Sequence, residues 1–161
     1  MISVFLETCI VNEFYLLFQH ELNRDNPLGF QGHVAKRFGD LVRDMWAAST
    51  TKTIAPIKMR WTISRYNHNF SGFQQQDSQE LLAFLLDGLH EDLNRVAVKP
   101  YDELKDSDGR PDDVVAKEHW ENYARRNQSV IVDLFHGQLK SKVTCKGQCL
   151  SYFFYQIQFS K

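Results

Sequence analysis

The sequence predicts an α+β fold that is mainly helical through residue 135 and ends in a short antiparallel β element. Two patterns lead to this prediction. Apolar residues recur at helical spacing in several stretches before residue 135. Alternation of apolar and polar residues begins only at Gln138 and continues toward the C-terminus. A length of 161 residues, 43% of them hydrophobic, is sufficient for one domain with a buried core.

The charge and cysteine content exclude several classes of protein. The 19 basic and 20 acidic residues give a formal net charge of −1, which supplies no global field for capturing nucleic acid or an anionic membrane. Three cysteines are too few for a disulfide framework, which favours a reducing intracellular setting such as the cytoplasm. The N-terminus lacks the basic region and cleavage site of a signal peptide, and no apolar run reaches about 18 residues. We therefore expect neither secretion nor a membrane or nucleic-acid partner.

Helices are predicted in three stretches of the first 70 residues. Residues 3–20 fit a helix that is apolar on nearly all sides. After a turn at Asn26–Gly29, residues 32–49 place their apolar side chains on one face. These side chains are Val34, Phe38, Leu41, Val42, Met45 and Trp46. Pro56 suits the first turn of a short helix that continues through Ile63.

The clearest helix is predicted from Asp77 to Val96, where leucines follow the i, i+3, i+4, i+7 spacing. Asp77 can cap its N-terminus, and Glu80 three residues later completes a capping-box pattern. The same periodicity assigns an outward-facing position to four polar residues: Asp87, His90, Glu91 and Asn94.

The last third of the chain changes from helix to strand. A hydrophilic loop from residue 99 to 113 precedes a helix over Val114–Arg126. Residues 129–135 fit either a strand or a short helix that Ser129 caps and Gly137 ends. Residues 138–145 alternate cleanly and predict a strand, and residues 148–159 predict a second one.

Several segments of the chain resemble the ubiquitin-specific proteases, which are cysteine peptidases that remove ubiquitin from other proteins. Residues 72–80, Gly-Phe-Gln-Gln-Gln-Asp-Ser-Gln-Glu, match the family's Gln-Gln-Asp-x-x-Glu signature and its lead-in. Residues 80–94 and 132–141 match the helix after the signature and the start of the fingers subdomain. Residues 21–46 and 104–111 are similar to one branch of large members in particular.

The resemblance implies the helical, thumb-like part of a papain-like cysteine peptidase domain. We expect this partial domain to span residues 20–145, between a divergent N-terminal segment, 1–19, and a divergent C-terminal tail, 146–161. An unrelated helical protein would explain the leucine stripe as core, but not three family-like segments in the right order.

The family's catalytic boxes are not intact in this chain. Hydrolysis by a thiol needs a nucleophile, a base and donors for the oxyanion. Of the family's Gly-x-Thr-Cys-x-x-Asn box only Thr8-Cys9 and Asn12 match, so Cys9 is a weak candidate nucleophile and a structural thiol is the alternative. No histidine fits the family's Gly-His-Tyr box. We expect a truncated or alternatively spliced product, or a gene-model fragment, that is inactive as this chain.

The resemblance assigns binding of ubiquitin's C-terminal tail to Gln75, Asp77 and Glu80. That tail carries two arginines, and guanidinium groups form charge-assisted hydrogen bonds with carboxylates. The alternative is that both acidic residues only stabilise the start of a helix. With little of the fingers and palm, the chain should bind ubiquitin weakly, and a non-catalytic ubiquitin-binding or protein-interaction module is the alternative function.

The remaining cysteines are candidates for a metal site. Cys145 and Cys149 form at most half of a structural zinc site, because such a site needs four ligands. We therefore expect no metal and no other cofactor.

Overall fold

A computed structural model of the protein describes residues 21–47, 53–101, 103, 109–144 and 151–159. These residues form α1 (His33–Ala47), α2 (Ile57–Tyr66), a 3-10 turn (His68–Phe70), α3 (Ser78–Asp92), α4 (Asp112–Arg126), α5 (Val130–Phe135), β1 (His136–Thr144) and β2 (Ser151–Phe159). The chain divides into two compact units, Met1–Ala97 and Val98–Lys161. The helix predicted over residues 3–20 lies outside the described residues.

The core of the first unit forms where α1 packs against α2 and α3. The predicted apolar face of α1 is confirmed at Val34, Phe38 and Val42, whereas Met45 near the end of the helix is exposed. The other helices contribute the buried side chains Met59, Ile63, Leu86 and Leu89. The helical periodicity of the sequence therefore predicts correctly which faces of α1 and α3 are buried.

The C-terminal end of α3 differs from the sequence prediction. The helix ends at Asp92 rather than Val96, and His90 and Asn94 are buried instead of facing solvent. The side chain of Glu91 retains only 14% of its exposure. Only Asp87 of the four polar residues is exposed as predicted.

The segment before α1 wraps around the end of α3 and contacts Glu91, Asp92 and Asn94 there. The backbone N–H of Asn23 donates to the carbonyl of Asp92 at 2.9 Å. The Asn26 side chain donates to the carbonyl of Glu91 at 2.8 Å and to its carboxylate at 2.6 Å. Helical periodicity carries no information about a covering segment that lies more than 60 residues away in sequence.

The second unit contains α4, α5 and a two-stranded antiparallel sheet, so the predicted β element at the C-terminus is confirmed. The ambiguous segment is a helix, because Ser129 accepts a hydrogen bond from the N–H of Val132 at 3.2 Å and so caps it. In the sheet His136 pairs with Phe159 and Thr144 with Ser151. Within the part of the chain that the structure describes, no helix is long and apolar enough to cross a membrane.

Candidate functional site

The signature segment lies on the surface of the first unit, between the 3-10 turn and α3. Every residue from 71 to 80 is exposed, and Phe73 retains 96% of its accessible surface. The acidic residues assigned to tail binding are therefore open to a partner in this chain.

Asp77 caps α3 as the sequence predicts. Its backbone is extended (φ −72°, ψ 125°), and its carboxylate oxygen Oδ1 accepts a hydrogen bond from the N–H of Gln79 at 2.7 Å. A carboxylate has about four acceptor positions. Asp77 can therefore hold the helix N-terminus and still accept hydrogen bonds from a ligand.

Glu80 does not complete the predicted capping box. Its oxygen Oε1 accepts a hydrogen bond from the Nδ2 of Asn69 at 3.3 Å, instead of returning to the backbone N–H of Asp77. Asn69 belongs to the 3-10 turn, where its own N–H donates to the side chain of Asn67 at 3.0 Å. The turn before the signature thus orients the second carboxylate, a contact that the local sequence pattern does not reveal.

Gln75 lies in the exposed segment between the 3-10 turn and Asp77. Arg60 of α2 contacts the start of this segment: its Nη2 donates to the carbonyl of Gly72 at 2.6 Å. The guanidinium carbon lies 4.8 Å from the centroid of the Phe73 ring. The sequence pattern assigns no role to Arg60, because the contact joins residues 12 positions apart across two elements.

The other candidate residues, Cys9, Cys145 and Cys149, lie outside the described residues. Within the ranges that the structure describes, no group of three or more His, Cys, Asp or Glu side chains could hold a metal ion. Two of the described imidazoles are in contact with tyrosines: His33 Nδ1 lies 2.5 Å from the Tyr66 hydroxyl, and His136 Nδ1 lies 2.5 Å from the Tyr123 hydroxyl.

The arrangement is suited to binding a cationic, extended peptide. Asp77 is the N-cap residue and Glu80 lies in the first turn, so both carboxylates lie at the N-terminal end of α3. Each carboxylate is held by a donor of this chain, the Gln79 N–H or the Asn69 amide. Guanidinium groups are the cations that match carboxylates best, because their donors form a planar fork.

Comparison with known proteins gives the family. A family model described as ubiquitin carboxyl-terminal hydrolase matches residues 4–150. The chain belongs to the ubiquitin carboxyl-terminal hydrolase family. The match begins before residue 20 and ends after residue 145, and the domain boundaries at those two positions remain a prediction.

Individual members of this family are similar over about four-fifths of the chain. Ubiquitin carboxyl-terminal hydrolase 32 of Mus musculus is 68% identical over 127 residues, which are 79% of this chain and 8% of the relative. Ubiquitin carboxyl-terminal hydrolase 4 of Bos taurus is 58% identical over 128 residues, 80% of this chain and 13% of the relative. Ubiquitin carboxyl-terminal hydrolase 15 of Xenopus tropicalis is 53% identical over 137 residues, 84% of this chain and 14% of the relative. The chain thus spans a small part of each relative's length.

Proposed function

We propose that this chain is part of a cysteine-type deubiquitinase and that Gln75, Asp77 and Glu80 bind the arginine-bearing C-terminal tail of ubiquitin. The relatives are ubiquitin carboxyl-terminal hydrolases by name. The activity of the parent enzyme is thiol-dependent hydrolysis of bonds to the C-terminal glycine of ubiquitin. The observation that carries the proposal is the exposed pair of carboxylates at the start of α3.

The bonds to neighbouring residues favour binding, because they reduce the freedom that the carboxylates would lose when a ligand arrives. The Gln79 N–H orients Asp77, and the Asn69 amide orients Glu80. A hydrogen bond between a guanidinium group and a carboxylate contributes about 1.5–3 kcal/mol. Two such bonds would suffice for recognition of the tail but not for tight binding of the whole of ubiquitin.

We expect weak binding by the isolated chain, since a stable interface between proteins buries about 1,600 Å² in total and a tail site supplies only part of that area. We also expect no hydrolysis by the 161-residue chain alone. Its Cys9 lacks the preceding glycine of the family's cysteine box, and its sequence holds no Gly-His-Tyr box. We expect an intracellular, cytoplasmic setting, because three cysteines are too few for a disulfide framework and a reducing compartment keeps thiols free.

The test is a titration of the ¹⁵N-labelled chain with ubiquitin, followed by NMR, in the wild type and in Asp77→Asn. Asparagine is as good an N-cap as aspartate, so this substitution removes the charge and retains the helix start. We expect ubiquitin to change the amide shifts of residues 75–81. The dissociation constant should be at least about tenfold higher in Asp77→Asn, as the loss of about 1.4 kcal/mol of binding free energy implies.

The matched control is Asp44→Asn, which removes an exposed carboxylate from α1, where it pairs with the neighbouring Arg43 at 3.6 Å. This variant should bind ubiquitin as the wild type does. Equal dissociation constants for the wild type and Asp77→Asn would refute tail binding at this site. So would shift changes confined to residues outside 75–81.

A second candidate function is a non-catalytic ubiquitin-binding or interaction module. The exposure of the whole signature segment, residues 71–80, favours it, since the segment is accessible to a binding partner. Turnover by this chain would exclude the second function, whereas binding of ubiquitin without turnover is the result that both candidates predict.

A further inference from the structure

Arg60 joins α2 to the segment that leads into the signature. Its guanidinium group makes two different contacts there, a hydrogen bond to the carbonyl of Gly72 at 2.6 Å and a stacking contact with the ring of Phe73 at 4.8 Å. Phe73 is otherwise almost fully exposed. Arg60 therefore holds a ring that the core of the unit does not hold.

We propose that Arg60 is a positioning residue for the tail-binding site, acting through Gly72 and Phe73 to fix the course of the chain that carries Gln75 and Asp77. The inference rests on the proposed binding of ubiquitin's tail by Asp77 and Glu80. Arg60 needs no contact with the ligand in this role.

The chain before and after this contact shows why a positioning residue is needed. Up to Ser71 the segment is anchored by the 3-10 turn, where the backbone N–H of Ser71 donates to the carbonyl of His68 at 2.9 Å. Gly72 then turns the backbone with a φ of 141°, a conformation that residues other than glycine rarely adopt. Beyond Phe73, the next hydrogen bond along the described chain is that of the Asp77 cap. Arg60 thus supplies the contact that bridges these two fixed points.

The chemistry of the contact favours arginine over lysine. A planar guanidinium can lie over an aromatic face and direct an N–H toward a carbonyl at the same time. The ammonium group of lysine can donate to the carbonyl, but it lacks the flat surface that stacks on the ring.

The sign of the effect separates positioning from electrostatics. Arg60 carries the same charge as the arginines of the ligand, so by charge alone its removal would strengthen binding. If Arg60 acts by positioning, its removal leaves residues 72–76 with more freedom, and the cost of ordering them is then incurred at binding. Removal would in that case weaken binding.

The experiment measures the dissociation constant for ubiquitin by NMR titration of the full chain in Arg60→Ala, Arg60→Lys and a control. The control is Arg65→Ala, because Arg65 is also exposed on α2 and stacks on a ring, that of Tyr66 at 6.0 Å, but that ring lies outside the segment leading into the signature. We expect binding to be weakened about two- to fivefold by Arg60→Ala, the range that one exposed cation–π contact allows. Arg60→Lys should weaken ubiquitin binding by a smaller factor, although it retains the charge. Arg65→Ala should bind ubiquitin as the wild type does.

A second readout needs no ubiquitin and reports on the segment itself. The ¹⁵N relaxation order parameters of Gln74, Gln75 and Gln76 should fall in Arg60→Ala and stay unchanged in Arg65→Ala, while those of α2 remain at the values of a rigid backbone. Unchanged order parameters at all three glutamines, or ubiquitin binding by Arg60→Ala that equals or exceeds that of the wild type, would overturn the inference.

The proposed function and the inference can fail separately. If Asp77→Asn abolishes binding and Arg60→Ala leaves it intact, the tail site stands and the role of Arg60 is refuted. If Asp77→Asn binds as the wild type does, tail binding by this carboxylate is refuted, and the positioning role is refuted with it.

Discussion

The carboxylate of Asp92 accepts the backbone N–H of Ala35 at 3.1 Å, so the last residue of α3 caps the first turn of α1 across 57 residues of sequence. Its other oxygen accepts the N–H of Phe30 at 2.7 Å and that of Gly32 at 3.1 Å. Asp92 is fully buried. A buried carboxylate is stable here because three N–H donors and the positive end of a helix dipole compensate for its lost hydration. The helix that carries the tail-binding carboxylates is thereby tied to α1.

Asp92→Asn should destabilise the first unit. An amide group retains one acceptor oxygen, and its NH₂ group then opposes a backbone N–H, so at least one buried donor loses its partner. Each such loss costs about 1–3 kcal/mol, and we expect the free energy of unfolding in urea to fall by about that amount. Asp44→Asn, at an exposed site, should change it by no more than about 0.5 kcal/mol. A wild-type transition in Asp92→Asn would show that the three bonds do not stabilise the fold.

Gly88→Ala tests the close approach of α3 to the segment before α1. A Cβ at this position would lie 2.9 Å from Cε2 of Phe30 and 3.4 Å from a methyl group of Val34. The Phe30 ring packs against Tyr66 and Phe84, at centroid distances of 4.5 and 5.5 Å, which restricts its retreat. Overpacking costs about 1–3 kcal/mol and alanine gains about 1 kcal/mol of helix propensity over glycine, so we expect the free energy of unfolding to fall by up to about 2 kcal/mol.

The control for Gly88→Ala is Ala83→Gly at an exposed position of the same helix. It measures helix propensity alone and should lower the free energy of unfolding by about 1 kcal/mol. If Gly88→Ala instead raised the free energy of unfolding by a similar amount, the packing of Phe30 against α3 would not be close.

The sequence predicts the helices better than it predicts their ends and their surroundings. Apolar spacing identifies α1 and α3 because one face of each is buried in a single core. It assigns Asn94 to solvent because Asn23, which contacts Asn94, lies 71 positions away in sequence. The role of Asp92 is invisible for the same reason, since its three donors come from residues 30–35.

The candidate site divides in the same way. Asp77 is predictable as a cap, since the residue type and the helix that follows are local features. The bond of Glu80 to Asn69 and the contact of Arg60 with Phe73 depend on how the 3-10 turn and α2 fold back toward α3. No spacing within the signature encodes these contacts, so they emerge only from the structure.

The chain by itself should not release a fluorophore from the C-terminus of ubiquitin. The physical reason is that a thiol attacks efficiently only when a base ionises it and donors stabilise the oxyanion, and the sequence lacks the family's histidine box. The assay compares the wild type with Cys9→Ser at equal concentration, using a full-length family member as the positive control. Turnover by the wild type that is lost in Cys9→Ser would identify Cys9 as a working nucleophile and refute this prediction.

The most direct test of tail binding is a charge exchange between Glu80 and the tail of ubiquitin. The binding of Glu80→Arg is measured by NMR titration against ubiquitin in which each of the two tail arginines is replaced in turn by glutamate. Each single change should weaken binding. One of the two combinations should bind at least about tenfold more tightly than the sum of the two single losses predicts, because close charge pairs are coupled by at least about 1.5 kcal/mol. Losses that simply add in both combinations would show that Glu80 does not contact either arginine of the tail.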